Sequence, residues 1–307
     1  MYICTRCTKN IIGVKIQEIT ATFETLKMIL IADSGSTKTT WKLVAENDNI
    51  STVSTQGMNP FFRTTDEMAA ELEEKLVPVS GNNIDHVWFY GAGVVNVEKG
   101  AVVSRAISRY FPSAKIETYS DLLGACRALF GNSAGIACIL GTGSNACIFD
   151  GEKIAAHVSP LGFILGDEGS GAVMGKHLLG DYFKEVMPAE LRQIFAEKYT
   201  LSRDEALNRV YREPRPNHFL ATFAPFLSEN LQHEYCRQFV TQNFKSFVER
   251  NIQKLTGYKE FQIGFAGSVA WHFSEIMKTV LASKGIENAK FLKDPIDGLV
   301  RFHTETK

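Results

Sequence analysis

Apolar residues along this chain come in two rhythms, short blocks of strand length and longer stretches with helical spacing, and their alternation predicts an α/β fold. Met28-Ile-Leu-Ile-Ala-Asp33 reads as a buried strand, Ser34-Gly35-Ser36-Thr37 as a tight turn, and Trp41-Lys-Leu-Val44 as the returning strand. A third strand is expected over Ile50 to Thr55. Asp66 to Leu76 then carries Met68, Leu72 and Leu76 at helical intervals. His86 to Tyr90 reads as a strand, Glu98 to Tyr110 as a helix, Ala114 to Tyr119 as a strand and Asp121 to Phe130 as a helix. This half is therefore three strands followed by alternating helix and strand.

The pattern then begins again, with Gly135 to Leu140 as a strand, Gly141-Thr-Gly-Ser-Asn145 as a turn and Ala146 to Phe149 as the strand that returns. Two halves of like topology are implied. A helix is expected over Ala172 to Leu179, and Asp181 to Lys259 is mostly helical, with Pro214, Pro216 and Pro225 at its breaks and no chemistry read there. Phe261-Gln-Ile-Gly-Phe-Ala-Gly-Ser268 reads as a strand entering a glycine turn, followed by one helix from about Val269 to Ser283. Domains are expected at 28–130 and 131–292, with 293–307 as a C-terminal helix. The first 27 residues have mixed charge and no sustained period, so they are set apart as a non-conforming extension.

Composition narrows the class. The chain has 307 residues, 45% hydrophobic and 22% charged, enough for one or two packed domains. Lysine plus arginine (33) against aspartate plus glutamate (34) leaves a net charge of −1, which offers no general pull toward nucleic acid or an anionic membrane. The apolar blocks fall far short of the ~20 residues that span a bilayer. Six cysteines, with Cys126, Cys138 and Cys147 in apolar runs, fit buried thiols in a reducing cytoplasm better than a disulfide framework. Cys4 and Cys7 form a lone C-x-x-C without a second pair, so a zinc site is disfavoured.

Candidate chemistry gathers at the turns. Ile31-Ala-Asp-Ser-Gly-Ser-Thr37 and Ile139-Leu-Gly-Thr-Gly-Ser-Asn145 share an apolar strand, a glycine and small hydroxyl residues. Singly, either is an ordinary hairpin. As a pair facing across a cleft, they offer two sets of backbone N–H groups to one polyphosphate, with Gly35, Gly141 and Gly143 allowing close approach. No G-x-x-x-x-G-K-[ST] or strand-helix G-x-G-x-x-G string occurs, which leaves P-loop and Rossmann readings without support. Asp121 falls at the carboxyl edge of the first sheet and starts a helix, where it is either a first-turn carboxylate or an acceptor for a substrate proton. Gly166-Asp-Glu-Gly-Ser-Gly171 holds more glycine than a helix cap requires, and its carboxylates suit a sugar's neighbouring hydroxyls. Gly264 and Gly267 leave room for a flat base or a ribose, or serve packing alone.

In this order, the segments resemble the sugar-kinase, heat-shock-protein-70 and actin superfamily, and within it the N-acetylglucosamine kinase-like branch, over nearly everything from Met28 onward. Asp33-Ser-Gly-Ser-Thr-Lys38 is similar to the first phosphate loop, Gly141-Thr-Gly-Ser-Asn145 to the second, Gly264-Phe-Ala-Gly-Ser268 to the adenosine motif, and Ser120-Asp-Leu-Leu-Gly124 to the segment bearing the catalytic aspartate. The resemblance implies two ribonuclease-H-like (actin-like ATPase) domains, each a mixed sheet flanked by helices, which close by a hinge around ATP and sugar. It also implies that the Pro295-Ile-Asp-Gly298 helix returns to the first domain.

By the same resemblance ATP and Mg²⁺ are the cofactors, with Asp33 positioning the metal and Gly35, Ser36, Thr37, Lys38, Gly141, Thr142, Gly143, Gly264, Ala266, Gly267 and Ser268 about the nucleotide. Asp121 is the implied base, and Asn59, Thr142, Ser144, Asn145 and Asp167 are the implied sugar contacts. The expected acceptor is the 6-hydroxyl of N-acetylglucosamine or a close amino sugar, and a homodimer is left open. Where animal N-acetylglucosamine kinases carry glycine-tryptophan before the acidic motif, this chain has Pro160-Leu161. Two alternatives stand beside this reading, a BadF/BadG-type ATPase that activates a 2-hydroxyacyl-CoA dehydratase through an iron–sulfur cluster, and a nucleotide-dependent sugar sensor. Because the periodic pattern opens at Met28, translation is expected to begin there, and the intact mass of the protein from its native source would show a chain starting at Met28 rather than Met1.

Overall fold

A computed structural model describes residues 28–45 and 49–305. The expectations for the first 27 residues, the Cys4–Cys7 pair among them, lie outside the described residues.

The first sheet is a meander with two parallel strands added behind it. Strands β1 (Met28–Ser34), β2 (Lys38–Ala45) and β3 (Ile50–Gln56) pair antiparallel, and β4 (His86–Gly91) and β5 (Lys115–Ser120) continue the sheet parallel to β1, in the order β3-β2-β1-β4-β5. Helices α1 (Thr65–Lys75), α2 (Val77–Ser80) and α3 (Val97–Ser108) make the crossovers. Strand β1 is central, and Leu30, Ile31 and Ala32 are all fully buried because both faces are covered. Helix α1 starts where Thr64 and Glu67 cap each other reciprocally, and Met68 and Leu72 turn inward at helical spacing.

After α4 (Asp121–Phe130) the order repeats. Strands β6 (Gly135–Leu140), β7 (Ser144–Phe149) and β8 (Ile154–His157) form a second meander, and β9 (Ile263–Ala266) and β10 (Lys290–Leu292) pair parallel behind β6, giving β8-β7-β6-β9-β10. Between β8 and β9 run α5 (Gly162–Leu165), α6 (Gly171–Phe183), α7 (Ala189–Tyr199), α8 (Arg203–Tyr211), α9 (Pro216–Ala221), α10 (Ala224–Glu229) and α11 (Glu234–Arg250). Their buried Phe195, Phe226, Phe244 and Phe247 form one core with Ile136, Leu140 and Phe265 of the sheet.

Two strands escape the sequence pattern. β8 exposes most of its four residues and β10 has only three, too short for a period to register. The single helix expected from Val269 to Ser283 is two, α12 (Ser268–His272) and α13 (Ser274–Ala282). Phe273 leaves helical geometry between them (φ −110°, ψ 22°) and buries its ring.

The sheets meet on α4. One side of it packs Leu122, Ala125, Cys126 and Leu129 against Ala137, Cys147 and Phe149 of the second sheet. Ala128 belongs instead to a cluster with Ile31 and Tyr90 of the first sheet and Leu299 of α14 (Ile296–Glu305). The last helix thus returns to the first sheet, where Lys42 and Asp297 pair at 3.1 Å. Gly298 makes the crossing of α14 and α4 tight, since a Cβ there would lie 2.6 Å from the Ala128 carbonyl oxygen.

A polar stack completes this seam. His86, Trp88 and His303 lie ring on ring, with centroids 3.6 and 4.1 Å apart. The Arg127 guanidinium donates to the Tyr90 hydroxyl at 2.7 Å, and that hydroxyl is hydrogen-bonded to His303 Nε2 at 2.8 Å. Burial, and after it the Arg127 charge, push the His303 pKa down to about 4. A base depressed in the folded state binds its proton more readily when unfolded, so its stabilising contribution is complete above about 6.5 and is lost as pH falls toward 4. His303→Gln keeps an amide near Nε2 and does not titrate; its denaturant midpoint is expected to fall less than the wild-type midpoint between pH 7 and pH 4.5.

Candidate active site

Both hairpins open onto one cavity of about 420 Å³ between the sheets. From the first, Asp33, Gly35, Ser36, Thr37 and Lys38 line it, and from the second Gly141, Thr142, Gly143, Ser144 and Asn145. Asp121, Asp167, Ala266, Gly267 and Ser268 complete the residues anticipated from sequence that reach it.

Each hairpin is braced from behind. The Ser34 and Thr39 hydroxyls bond at 2.7 Å, the Met58 amide donates to Ser34 Oγ at 3.1 Å, and the Gly57 amide to the Thr37 carbonyl at 2.9 Å. Asn59 is buried, donating to Ser36 Oγ at 3.1 Å and accepting from the Phe61 amide, so it stands behind Ser36 and not on the cavity wall. In the second hairpin the first amides of α6 do the bracing, Gly171 donating to the Gly141 carbonyl at 2.8 Å and Ala172 to that of Thr142 at 3.1 Å. A hairpin therefore occupies amides that a helix N-terminus leaves free.

The glycines divide by cause. Gly267 has φ 115°, and a Cβ there would meet the Leu140 carbonyl oxygen at 2.4 Å, so the chain itself requires it. Gly264 lies inside β9 with Leu129 where a Cβ would go, off the cavity. A Cβ on Gly141 would meet nothing within 4 Å, and one on Gly35 only the Lys38 carbonyl oxygen at 3.7 Å. No protein neighbour demands glycine at those two positions; the open space lies on the cavity side. At Gly143 a Cβ would stand 2.9 Å from Asp167 Oδ2, so its absence admits that carboxylate.

The carboxylates crowd. Asp33 is the last residue but one of β1, and burial together with the charges of Asp121 and Asp294 raises its pKa to about 7. Asp121 opens α4 under a Ser120 cap, its Oδ1 accepts from the Leu122 amide at 2.8 Å, and burial raises its pKa. Asp167 adopts a left-handed backbone (φ 54°), and its carboxyl is raised chiefly by burial against the pull of the Ser144 amide. Its neighbour Glu168 turns away to Arg250 and Asn251, a structural pairing. Ser144 lines the cavity, and its Oγ is buried with no partner.

Sequence reading passed over several lining residues. Lys293, Asp294 and Pro295 enter from the turn between β10 and α14, and Asn217 from α9. The only signal at the first is an Asp-Pro helix start, which carries no nucleotide chemistry. Two further cavities adjoin the first. One of about 400 Å³ shares Ser144, Asn145 and Asp167 and runs along Val158, Pro160, Leu161 and Leu165. The other, about 310 Å³, shares Gly141, Thr142 and Ser268 and is walled by Ala221, Ala224, Pro225, Val269 and Phe273.

Two copies of this sheet order facing across a cavity of braced hairpins and buried carboxylates define an actin-like ATPase fold. No protein-family model and no curated protein matches the chain. Solved structures do. A protein of Porphyromonas gingivalis named "Putative N-acetylglucosamine Kinase" is 41% identical over 90% of this chain and 98% of its own, with a TM-score of 0.86. One of the same name from Chromobacterium violaceum is 14% identical over 90% and 99%, with a TM-score of 0.71. A ROK family glucokinase from Streptomyces griseus in complex with glucose and AMPPNP is 15% identical over 90% and 97%, with a TM-score of 0.51; at such identities the likeness is one of fold. The chain belongs to the N-acetylglucosamine kinase-like family.

Asp33 supplies a test of the site's electrostatics. A carboxyl raised in the folded state disfavours folding progressively as pH climbs from about 4 through about 7. Asp33→Asn is expected to raise the melting temperature of the unliganded protein at pH 8 by about 2–4 °C, the order of shift that ~1 kcal/mol produces. The gain is expected to shrink at pH 5, as read by calorimetry at the two pH values.

Proposed function

We propose that this protein transfers the γ-phosphoryl group of ATP to a hydroxyl of an amino sugar, the 6-hydroxyl of N-acetylglucosamine or a close relative. The observation that carries the reading is the convergence of both hairpins, Asp33, Asp121, Asp167 and the Gly267 turn on one cavity of about 420 Å³. The likeness to the Porphyromonas gingivalis protein supports the sugar class.

The chemistry follows from placement. ATP lies with its phosphates between the hairpins, where Gly35 and Gly141 leave the backbone bare, and its base in the 310 Å³ extension between Ala221, Pro225 and Phe273. The sugar lies toward Asp167, Asn145 and the unpartnered Ser144 hydroxyl, with the second extension open to its substituents. Asp121 accepts the proton of the attacking hydroxyl as its oxygen bonds to the γ-phosphorus and the bond to the β-phosphate oxygen breaks, releasing ADP. Burial raises the basicity of that carboxylate. Asn59 acts on the site through Ser36.

Mg²⁺ fits as a partner of ATP. Among the described residues no group of three or more histidines, cysteines or acids is arranged to hold an ion, while Asp33 sits in an excess of negative charge. That suits a hard cation held by one or two carboxylates, water and phosphate oxygens. When bound, it would neutralise charge on the β- and γ-phosphates.

An iron–sulfur activator needs cysteines that reach a partner chain. All four described cysteines are buried, and Cys126 and Cys147 face each other at 3.4 Å inside the α4 seam.

ADP release from Mg·ATP, measured with N-acetylglucosamine, glucosamine, N-acetylmannosamine, glucose and no sugar, tests the proposal. Release that depends on an amino sugar is expected, and Asp121→Asn is expected to cut it by about 10²–10⁴-fold while the protein stays folded. Release indifferent to every sugar would overturn the proposal.

A further inference from the structure

Around the start of α9, where the sequence suggested no chemistry, three of four successive residues reach the cavity or the first half of the molecule. Arg215, in a left-handed backbone (φ 57°), sets its guanidinium 5.5 Å from the ring centre of Phe62 on the first half of the molecule. Asn217 lines the cavity. His218 Nδ1 lies 3.0 Å from the hydroxyl of Thr37 in the first hairpin, 181 residues away in sequence.

This contact has a rigid base. Gly175 lets the Leu220 carbonyl oxygen press onto α6, since a Cβ there would stand only 1.8 Å from it. Helix α6 in turn donates through Gly171 to the Gly141 carbonyl. His218 is therefore carried by the same framework as the second hairpin, while Thr37, on the other side of the cavity, is exposed.

The ring's other nitrogen indicates which way the hydrogen bond runs. His218 Nε2 is buried and has no partner. A proton on Nε2 would be a buried donor without an acceptor, whereas a bare lone pair there is the lesser penalty. Burial and the Arg215 charge also hold the imidazole below its usual pKa, so it carries one proton. With that proton on Nδ1, His218 donates to Thr37 Oγ1 and leaves the threonine's own proton free. We propose that His218 is a positioning residue that fixes the Thr37 hydroxyl as a donor toward the phosphate groups of the nucleotide, so that the first hairpin is aligned by the framework holding the second.

The inference rests on the kinase reading only for the identity of the nucleotide. Its test is a double-mutant cycle in which calorimetry reads the affinity of Mg·AMP-PNP for wild type, His218→Ala, Thr37→Val and the pair. Each single variant is expected to bind about 5–10-fold more weakly, the worth of one hydrogen bond, and the double variant no more weakly than either. His218→Asn, whose amide nitrogen falls near Nδ1, is expected to restore binding to within about twofold, a rescue that a purely structural role would not give. In turnover, His218→Ala should raise the KM for ATP and leave the KM for sugar unchanged. Additive losses, unaltered AMP-PNP binding in His218→Ala, or failure of His218→Asn to rescue would each overturn the proposal. Absence of sugar-dependent turnover in wild type with a coupled cycle intact would remove the kinase reading and leave His218 in its role; a wild type that does not bind AMP-PNP would sink both.

Discussion

Helix α4 is the element on which the rest of the structure depends, because it is buried by both sheets at once. Leu122, Ala125, Cys126 and Leu129 belong to the core of the second sheet, and Ala128 to that of the first. Its seat is tightened by α14, which comes close enough only because residue 298 has no side chain. A helix clamped in this way holds its first residue, Asp121, at the junction of two halves that share no strand. Such a placement fixes the geometry of that carboxylate relative to both hairpins, which is what the proposed role of Asp121 in catalysis by positioning requires.

The same burial creates the site's tension. Three aspartates, 33, 121 and 294, come near one another in partly desolvated surroundings, and the response is a raised pKa at Asp33 rather than a neutralising lysine or arginine pair. The glycines tell a parallel story: Gly175, Gly267 and Gly298 are required by backbone pressing on backbone, while at Gly35 and Gly141 no protein neighbour excludes a side chain.

Much of this was legible along the chain. The repeat was visible in two strand-turn-strand units with matching glycine and hydroxyl turns, and the structure extends it to an identical order of five strands in each half. Asp33 was legible at the close of an apolar strand, Asp121 at a strand-to-helix junction, and Asp167 in a cluster holding more glycine than a helix cap requires. Asn217, His218 and Asp294 were not. Each sits in a segment whose local sequence shows only proline breaks or a helix start, and packing of elements far apart in sequence brings Asn217 and Asp294 to the cavity and His218 to Thr37. Strands β8 and β10 and the break at Phe273 were missed for a related reason, since pairing partners and core vacancies, not local period, decide them.

What the sequence determined by itself is the set of elements, their repeat and the polar turns between them, because strand and helix periods and glycine-hydroxyl turns are local properties of consecutive residues. What only the tertiary structure decided is which turns face one another and what their charges do. The elevated pKa of Asp33, the depressed one of His303, and the bond from His218 to Thr37 all arise from groups brought together by helices packing on sheets. Desolvation and through-space charge depend on distance in the folded chain and have no signature in its order.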